Sequence, residues 1–512
     1  MAQATDPDQH IHASSPGTTV GGPSAGFVVF SACWAVYTLV HQLLTYAPWF
    51  RFDDPAELSI NLLVSFSAIA VLMNPASLKR FVLMCALAFG LKFMHMPFVA
   101  NHLFFTMLVN LVIVLAIGTR WIWPAVGRHP ADAAYDTFAP TLRASLIVLY
   151  FWVVVHKLNW DYLNPVVSCG FELYVTMGEV TKARTGLGLV PVADWMAYPC
   201  LLGALAIEAM IPLLIWFRRT RKAAIALGLL FHLMLTLHSN EYIASFSCVL
   251  YAMYTLFLPG DIRENWVGAW KQSGLGRRLI SQPLLVPAIT VVVFVVCCAA
   301  VVVLSLIHGR LHRDGLIEDL HLVFPFVAML VFYLWALICI ALFIRGVSRP
   351  WHWEGRAMKA YRPAQIAFIA FPLLLLLNGL SPYLGLKTHH AMAMFSNLRT
   401  EAGISNHLFL PSSIRLANWQ DDEVVVLASN HDWSIKPNEP GQRYTWFEFT
   451  RAMSQVSDGV EVTYQRGDSL PVTVSRAATP DDPAFTPPAY VLRKLFLLKE
   501  IPRDDEPCPC RH

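Results

Sequence analysis

Tyr150-Phe-Trp-Val-Val-Val-His-Lys-Leu-Asn-Trp-Asp-Tyr162 closes an apolar run that starts near residue 140 and is long enough to cross a bilayer. Lys157 stands at its end. An ionisable group at membrane depth costs roughly 3 kcal/mol on insertion scales and 10 or more in other treatments. Such groups therefore tend to line a cavity or carry a function. A partly desolvated lysine can also give up its proton near neutral pH and act as a base.

Runs of this kind recur outward from that stretch. They fall at about 26–47, 57–74, 80–97, 101–119, 140–158, 197–217, 221–238, 241–259, 284–307, 321–345 and 364–382. The composition agrees: 56% of the 512 residues are hydrophobic, 14% are charged and the mean hydropathy is +0.49. A soluble protein carries roughly 25% charge. The fold class expected is therefore an all-α polytopic membrane protein of about eleven transmembrane helices, with a C-terminal β-rich or α+β soluble domain. Residues 1–24, rich in Gly, Ser and Pro, read as a disordered tail. The first apolar run reads as a retained span, not a cleaved signal. Spans fill 25–260 and 261–384, and 385–512 reads as the soluble domain. There Val424–Leu427, Val460–Tyr464 and Pro471–Ser475 look like strands, while 445–456 and 489–500 suit short amphipathic helices.

Charge orients the chain. With the N-terminus cytoplasmic, the inner loops (79–80, 120–128, 218–222, 263–278, 345–362) hold seventeen Lys and Arg, and the outer loops (51, 182–184, 310–313) hold five. That bias follows the positive-inside rule. It puts Lys157 near the outer face and the C-terminal domain outside, as in a multi-pass protein of a bacterial inner membrane. There is no basic block suited to nucleic acid.

Polar residues recur inside the spans. Asn101 and His102 open the fourth; Arg143, His156 and Lys157 belong to the fifth; Glu208 lies midway in the sixth. His232 sits in the seventh, about 9 Å below its outer end. The set is placed to converge on one outward-facing cavity. Bland readings stand beside this one. Arg143 would snorkel to headgroups, as would Lys92. His95 and His238 would be boundary residues, and Glu208 and His232 would make an interhelical hydrogen bond. Cys169, Cys200, Cys508 and Cys510 lie near water and leave several disulfide pairings open. Cys508-Pro-Cys510 reads as a tethering bridge or a weak metal motif. HExxH, Walker-type and CxxC signatures are absent from the sequence.

These residues, in this order, resemble the horizontally transferred transmembrane (HTTM) family, which includes the vitamin K-dependent gamma-glutamyl carboxylases. The likeness rests on Tyr150-Phe151 followed by His156-Lys157-Leu158-Asn159 and Asp161-Tyr162, on Asn101-His102, and on Phe231-His232 with Leu256-Phe257-Leu258-Pro259. It departs at Val153-Val154 and at His156, where the family carries small residues and a further lysine. The resemblance implies a lyase or epoxidase in which Lys157 deprotonates a reduced naphthoquinone, vitamin K or menaquinol, and no metal. Lys157, His102 and His156 would carry the chemistry, with His156 lowering the lysine's basicity if cationic or passing the proton outward. Asn101, Glu208 and His232 would hold the quinol. The partners implied are the lipid bilayer, a quinol and a protein substrate at the outer domain. The competing class is a non-catalytic lipid- or quinone-binding or scaffolding protein, in which Lys157 anchors headgroups.

Overall fold

The computed structural model describes residues 23–45, 55–188, 190–238, 241–281, 316–347, 351, 360–411, 415–430 and 442–502. The span expected at 284–307, the tail up to residue 22, and Cys508 and Cys510 lie outside the described residues.

The first helices are α1 (Ala25–Thr45), α2 (Pro55–Met73), α3 (Leu78–Met94), α4 (Asn101–Ile122) and α5 (Pro130–Lys157). After them come α6 (Trp160–Leu163), α7 (Cys169–Thr185), α8 (Ala197–Trp216), α9 (Arg221–Leu235) and α10 (Glu241–Tyr254). Then follow α11 (Gly260–Gln272), α12 (Gly274–Ser281), α13 (Leu316–Val347) and α14 (Ala370–Leu380). Among the described residues, six helices are long and apolar enough to cross a membrane: Ala25–Leu44, Ala56–Met73, Asn101–Ile122, Pro130–Lys157, Asp194–Trp216 and Ala328–Val347. The protein is membrane-spanning. Its outward faces carry exposed Leu83, Leu202, Leu213 and Leu334, as a lipid-facing surface does. The expected spans at 80–97, 221–238 and 364–382 form shorter helices of 17, 15 and 11 residues. The expected 241–259 span ends in a 3-10 turn and bends by 115° into α11. Pro259 stands at that bend, because its ring has no N–H to continue the helix.

The core centres on α1. Phe30, Trp34 and Tyr37 are fully buried. Trp34 donates its indole N–H to Asn110 Oδ1 at 2.9 Å, and Tyr37 Oη donates to Thr106 Oγ1 at 3.0 Å. With no hydrophobic drive between helices in lipid, such bonds and close packing hold the bundle. Two of the bland readings change here. Arg143 does not snorkel; its guanidinium donates to the Leu256 and Ala360 carbonyls, both at 2.8 Å. Lys92 is buried, with Nζ 5.5 Å from the Tyr37 ring centre.

The helix α14 runs parallel to α5. Ala364 N donates to Asp136 O at one end, and His156 Nε2 meets Gly379 O at the other, each at 3.0 Å. A Cβ on Gly379 would lie 2.3 Å from the Trp152 ring, so glycine is what lets the two helices close. This pairing brings the chain back to the Lys157 end of the bundle, from which the C-terminal part continues.

That continuation is a buried coil. His390, Met392, Phe395, Asn397 and Ala402 all have left-handed backbone, with φ of 43, 64, 49, 53 and 56°. Side-chain amides hold it. Asn101 Oδ1 accepts from Met392 N at 2.9 Å, Asn397 Oδ1 from Cys169 N at 2.8 Å, and Asn159 donates to Ser396 O at 2.5 Å. His407 Nε2 meets Val155 O at 2.9 Å.

Beyond it lies an antiparallel sheet of order β2-β1-β3-β4, formed by β1 (Glu423–Ser429), β2 (Gln442–Thr445), β3 (Glu461–Arg466) and β4 (Val472–Ser475). Val424 pairs with Tyr444 on one side and Arg466 on the other. Its apolar face packs Val424, Val462 and Val474 on Phe449 and Met453 of α15 (Trp446–Met453). Thr445 caps α15 by accepting from Glu448 N. A last helix, α16, covers Tyr490–Leu495.

Candidate functional site

The site begins with one helical face. On α5, Tyr150, Val153 and Lys157 recur at spacings of three and four and share a side. His156 is one residue, and so 100° of helix, away. It points at α14 instead, stacked on Trp152 with ring centres 5.1 Å apart. His156 therefore does not share the lysine's surroundings, which corrects the expectation that it tunes or relays for Lys157.

Lys157 and Val153 line a cavity of about 260 Å³. Glycine and apolar side chains build most of the rest. Helix α7 contributes Gly170, Leu173 and Met177, α8 contributes Gly203, Ala204 and Ile207, and α10 contributes Ile243 and Phe246. Met394 and Phe395 come from the buried coil. The polar residues on this wall include Lys157, Glu208 from α8, and His232 and His238 from the α9 side.

Lys157 Nζ donates to Glu208 Oε1 at 2.6 Å and to Oε2 at 2.5 Å, and both side chains are buried. In a low-dielectric wall this attraction must offset a desolvation cost of several kcal/mol per ion. Tyr162 lies alongside, its ring centre 5.8 Å from Nζ. His232 Nε2 meets Tyr150 Oη at 2.9 Å, and Tyr150 Oη meets Tyr254 Oη at 2.6 Å.

Of the six residues proposed from sequence, Lys157, Glu208 and His232 meet here. His102 does not reach the wall. It stands behind Phe246, with ring centres 6.0 Å apart, and joins a separate chain through Ser245 Oγ (3.2 Å) to His41 Nδ1 (3.0 Å). Asn101 ties down the coil through Met392 N. Tyr150, Tyr162 and Tyr254 were not proposed. The first two bound the Tyr150–Tyr162 stretch around Lys157, while Tyr254 carries no local signal.

The walls suit a mostly apolar ring with polar substituents, since an apolar surface meets few but placed polar groups. At about 260 Å³ the cavity lies at the small end of ligand pockets, which run from roughly 300 Å³. Among the described residues, no group of three or more His, Cys, Asp or Glu is placed to hold a metal ion. Cys169 is disulfide-bonded, while Cys200 is free. Compared with known proteins, the chain matches no family model, no curated protein and no solved structure.

Proposed function

We propose that the protein is a membrane-embedded enzyme of the HTTM kind, similar to vitamin K-dependent gamma-glutamyl carboxylases, in which Lys157 is the base toward a reduced naphthoquinone. The observation that carries this is the Lys157–Glu208 pair on the wall of a mostly apolar cavity. Moving one proton from the ammonium to the carboxylate turns the pair into an amine and a carboxylic acid. The amine is then a base, and Glu208 stores the proton. A ligand filling the apolar cavity would displace water from the exchange. When bound, the quinol supplies the oxygen chemistry that generates a stronger base for carbanion formation on a substrate; a protein substrate would approach from the outer domain.

The finer topology belongs to the same proposal: eleven spans, cytoplasmic N-terminus, C-terminal domain outside, bacterial inner membrane. Seventeen inner against five outer basic residues support it. So does the parallel pairing of α14 with α5, which agrees with a C-terminal domain on the Lys157 side.

The second reading, a non-catalytic quinone or lipid binder, is favoured by one feature. A doubly hydrogen-bonded buried pair is also what a purely structural tie looks like. The test is epoxide formation by purified protein with reduced vitamin K or menaquinol, oxygen and bicarbonate, comparing wild type, Lys157→Ala and Lys157→Arg. Epoxide from wild type alone supports the base, since arginine does not deprotonate usefully. No product from folded wild type, with ubiquinol equally inert, supports the binder.

A further inference from the structure

Tyr254, Tyr150 and His232 form a buried hydrogen-bonded chain whose proton order can be deduced. Tyr254 Oη has Tyr150 Oη as its one hydrogen-bond partner among the described residues. If Tyr150 donated to Tyr254, the Tyr254 hydrogen would be buried with no acceptor, at the desolvation cost of an unpaired polar group. If Tyr254 donates to Tyr150, and Tyr150 to His232 Nε2, both hydroxyl hydrogens are used and the one unpaired donor moves to His232, a residue of the cavity lining where a ligand can accept from it. In a neutral imidazole with Nε2 accepting, the ring proton sits on Nδ1. That Nδ1 is buried and has no partner among the described residues, although His232 lines the cavity. The chain is also built into the helix packing. A Cβ on Gly228 would lie 2.3 Å from Tyr254 Oη, so Gly228 leaves the space that the Tyr254 hydroxyl occupies.

We propose that Tyr254 and Tyr150 are positioning residues that hold His232 in its Nδ1–H form, and that this N–H donates to an acceptor oxygen of the cavity's ligand. The ligand class is then a compact apolar ring with two polar positions. One is a hydroxyl or carbonyl oxygen for the Lys157–Glu208 pair, and the other is a carbonyl or phenolate oxygen for His232. The ligand half rests on the quinol reading above, whereas the tautomer rests on the hydrogen-bond chain and on the cavity beside His232.

The test uses the full chain in nanodiscs with ¹⁵N-labelled histidine, and menadione as the probe. The His232 signal is assigned by its loss in His232→Asn. The ligand-free protein should show Nδ1 protonated and Nε2 bare, and Tyr254→Phe should give mixed tautomers. Menadione should move the Nδ1 resonance and bind roughly five- to tenfold more weakly to Tyr254→Phe, the effect of about one net hydrogen bond. A ligand-free His232 protonated on Nε2 overturns the proton order, whatever Lys157 does. Equal menadione affinity in wild type and Tyr254→Phe overturns the positioning role. An Nδ1–H that stands while menadione neither binds nor moves it overturns the ligand half and counts against the quinol reading with it.

Discussion

Lys157 reaches across from α5 to hold both carboxylate oxygens of Glu208 on α8, at 2.6 and 2.5 Å, within a mostly apolar wall. Two charges that desolvated depend on each other. Lys157→Met or Glu208→Gln alone leaves a buried group without its counter-charge and should destabilise the fold by about 3–5 kcal/mol. The double change Lys157→Met with Glu208→Met removes both charges and should recover more than half of that. Thermal unfolding in one detergent measures it; single variants as stable as wild type would show that the pair contributes nothing.

Filling space at the α5–α14 contact should also be costly. In Gly379→Ala the new methyl meets the Trp152 ring, and overpacking of this kind costs about 1–3 kcal/mol. A lower unfolding temperature is expected. An unchanged one would mean that the helices separate freely.

A strained backbone predicts the opposite sign. Ala402 has φ of 56°, where a side chain costs roughly 1–2 kcal/mol and glycine almost nothing. Ala402→Gly should therefore stabilise the protein by about 1 kcal/mol. Loss of stability in the same unfolding measurement would contradict this.

In the C-terminal sheet region, Glu448 gives a pH dependence. Its side chain is 12% exposed, and burial pushes its carboxyl up to about 7 against the pull of the Arg451 guanidinium. A carboxyl that is harder to ionise when folded makes the folded state bind more protons than the unfolded one between the ordinary value of about 4.5 and about 7. Stability should fall as pH rises through that window, by about 3 kcal/mol at most, and level off above it. The Leu498 amide, which donates to Glu448 Oε1 at 2.9 Å, is the probe. Its hydrogen-exchange protection, corrected for intrinsic rate, should drop between pH 5 and 8 in wild type and stay level in Glu448→Gln.

What the sequence made legible follows from where the information sits. Long apolar runs announce α1, α2, α4, α5, α8 and α13, because a bilayer demands about twenty apolar residues in a row. Three of the four strands are visible from β-branched runs between turns. The strand Gln442–Thr445 is too short and polar to stand out. Helix α7 escapes because Cys169–Thr185 shows no apolar stripe. Within the site, Lys157, Glu208 and His232 are visible as costly residues in apolar surroundings. The separation of His156 from Lys157 follows from a 100° step and was available from spacing alone. Tyr254 meets Tyr150 across 104 residues, and the left-handed turns at Met392 and Phe395 are built without glycine, so neither leaves a local mark.

The origin of Met394 and Phe395 in the cavity wall sets a schedule for its assembly. They are translated more than two hundred residues after Lys157. At about 5–20 residues per second that gap lasts on the order of ten to fifty seconds. For that interval the nascent bundle holds its buried lysine and glutamate beside an unroofed pocket. The pocket therefore closes only late in synthesis, when the coil docks onto Asn101 and Asn159.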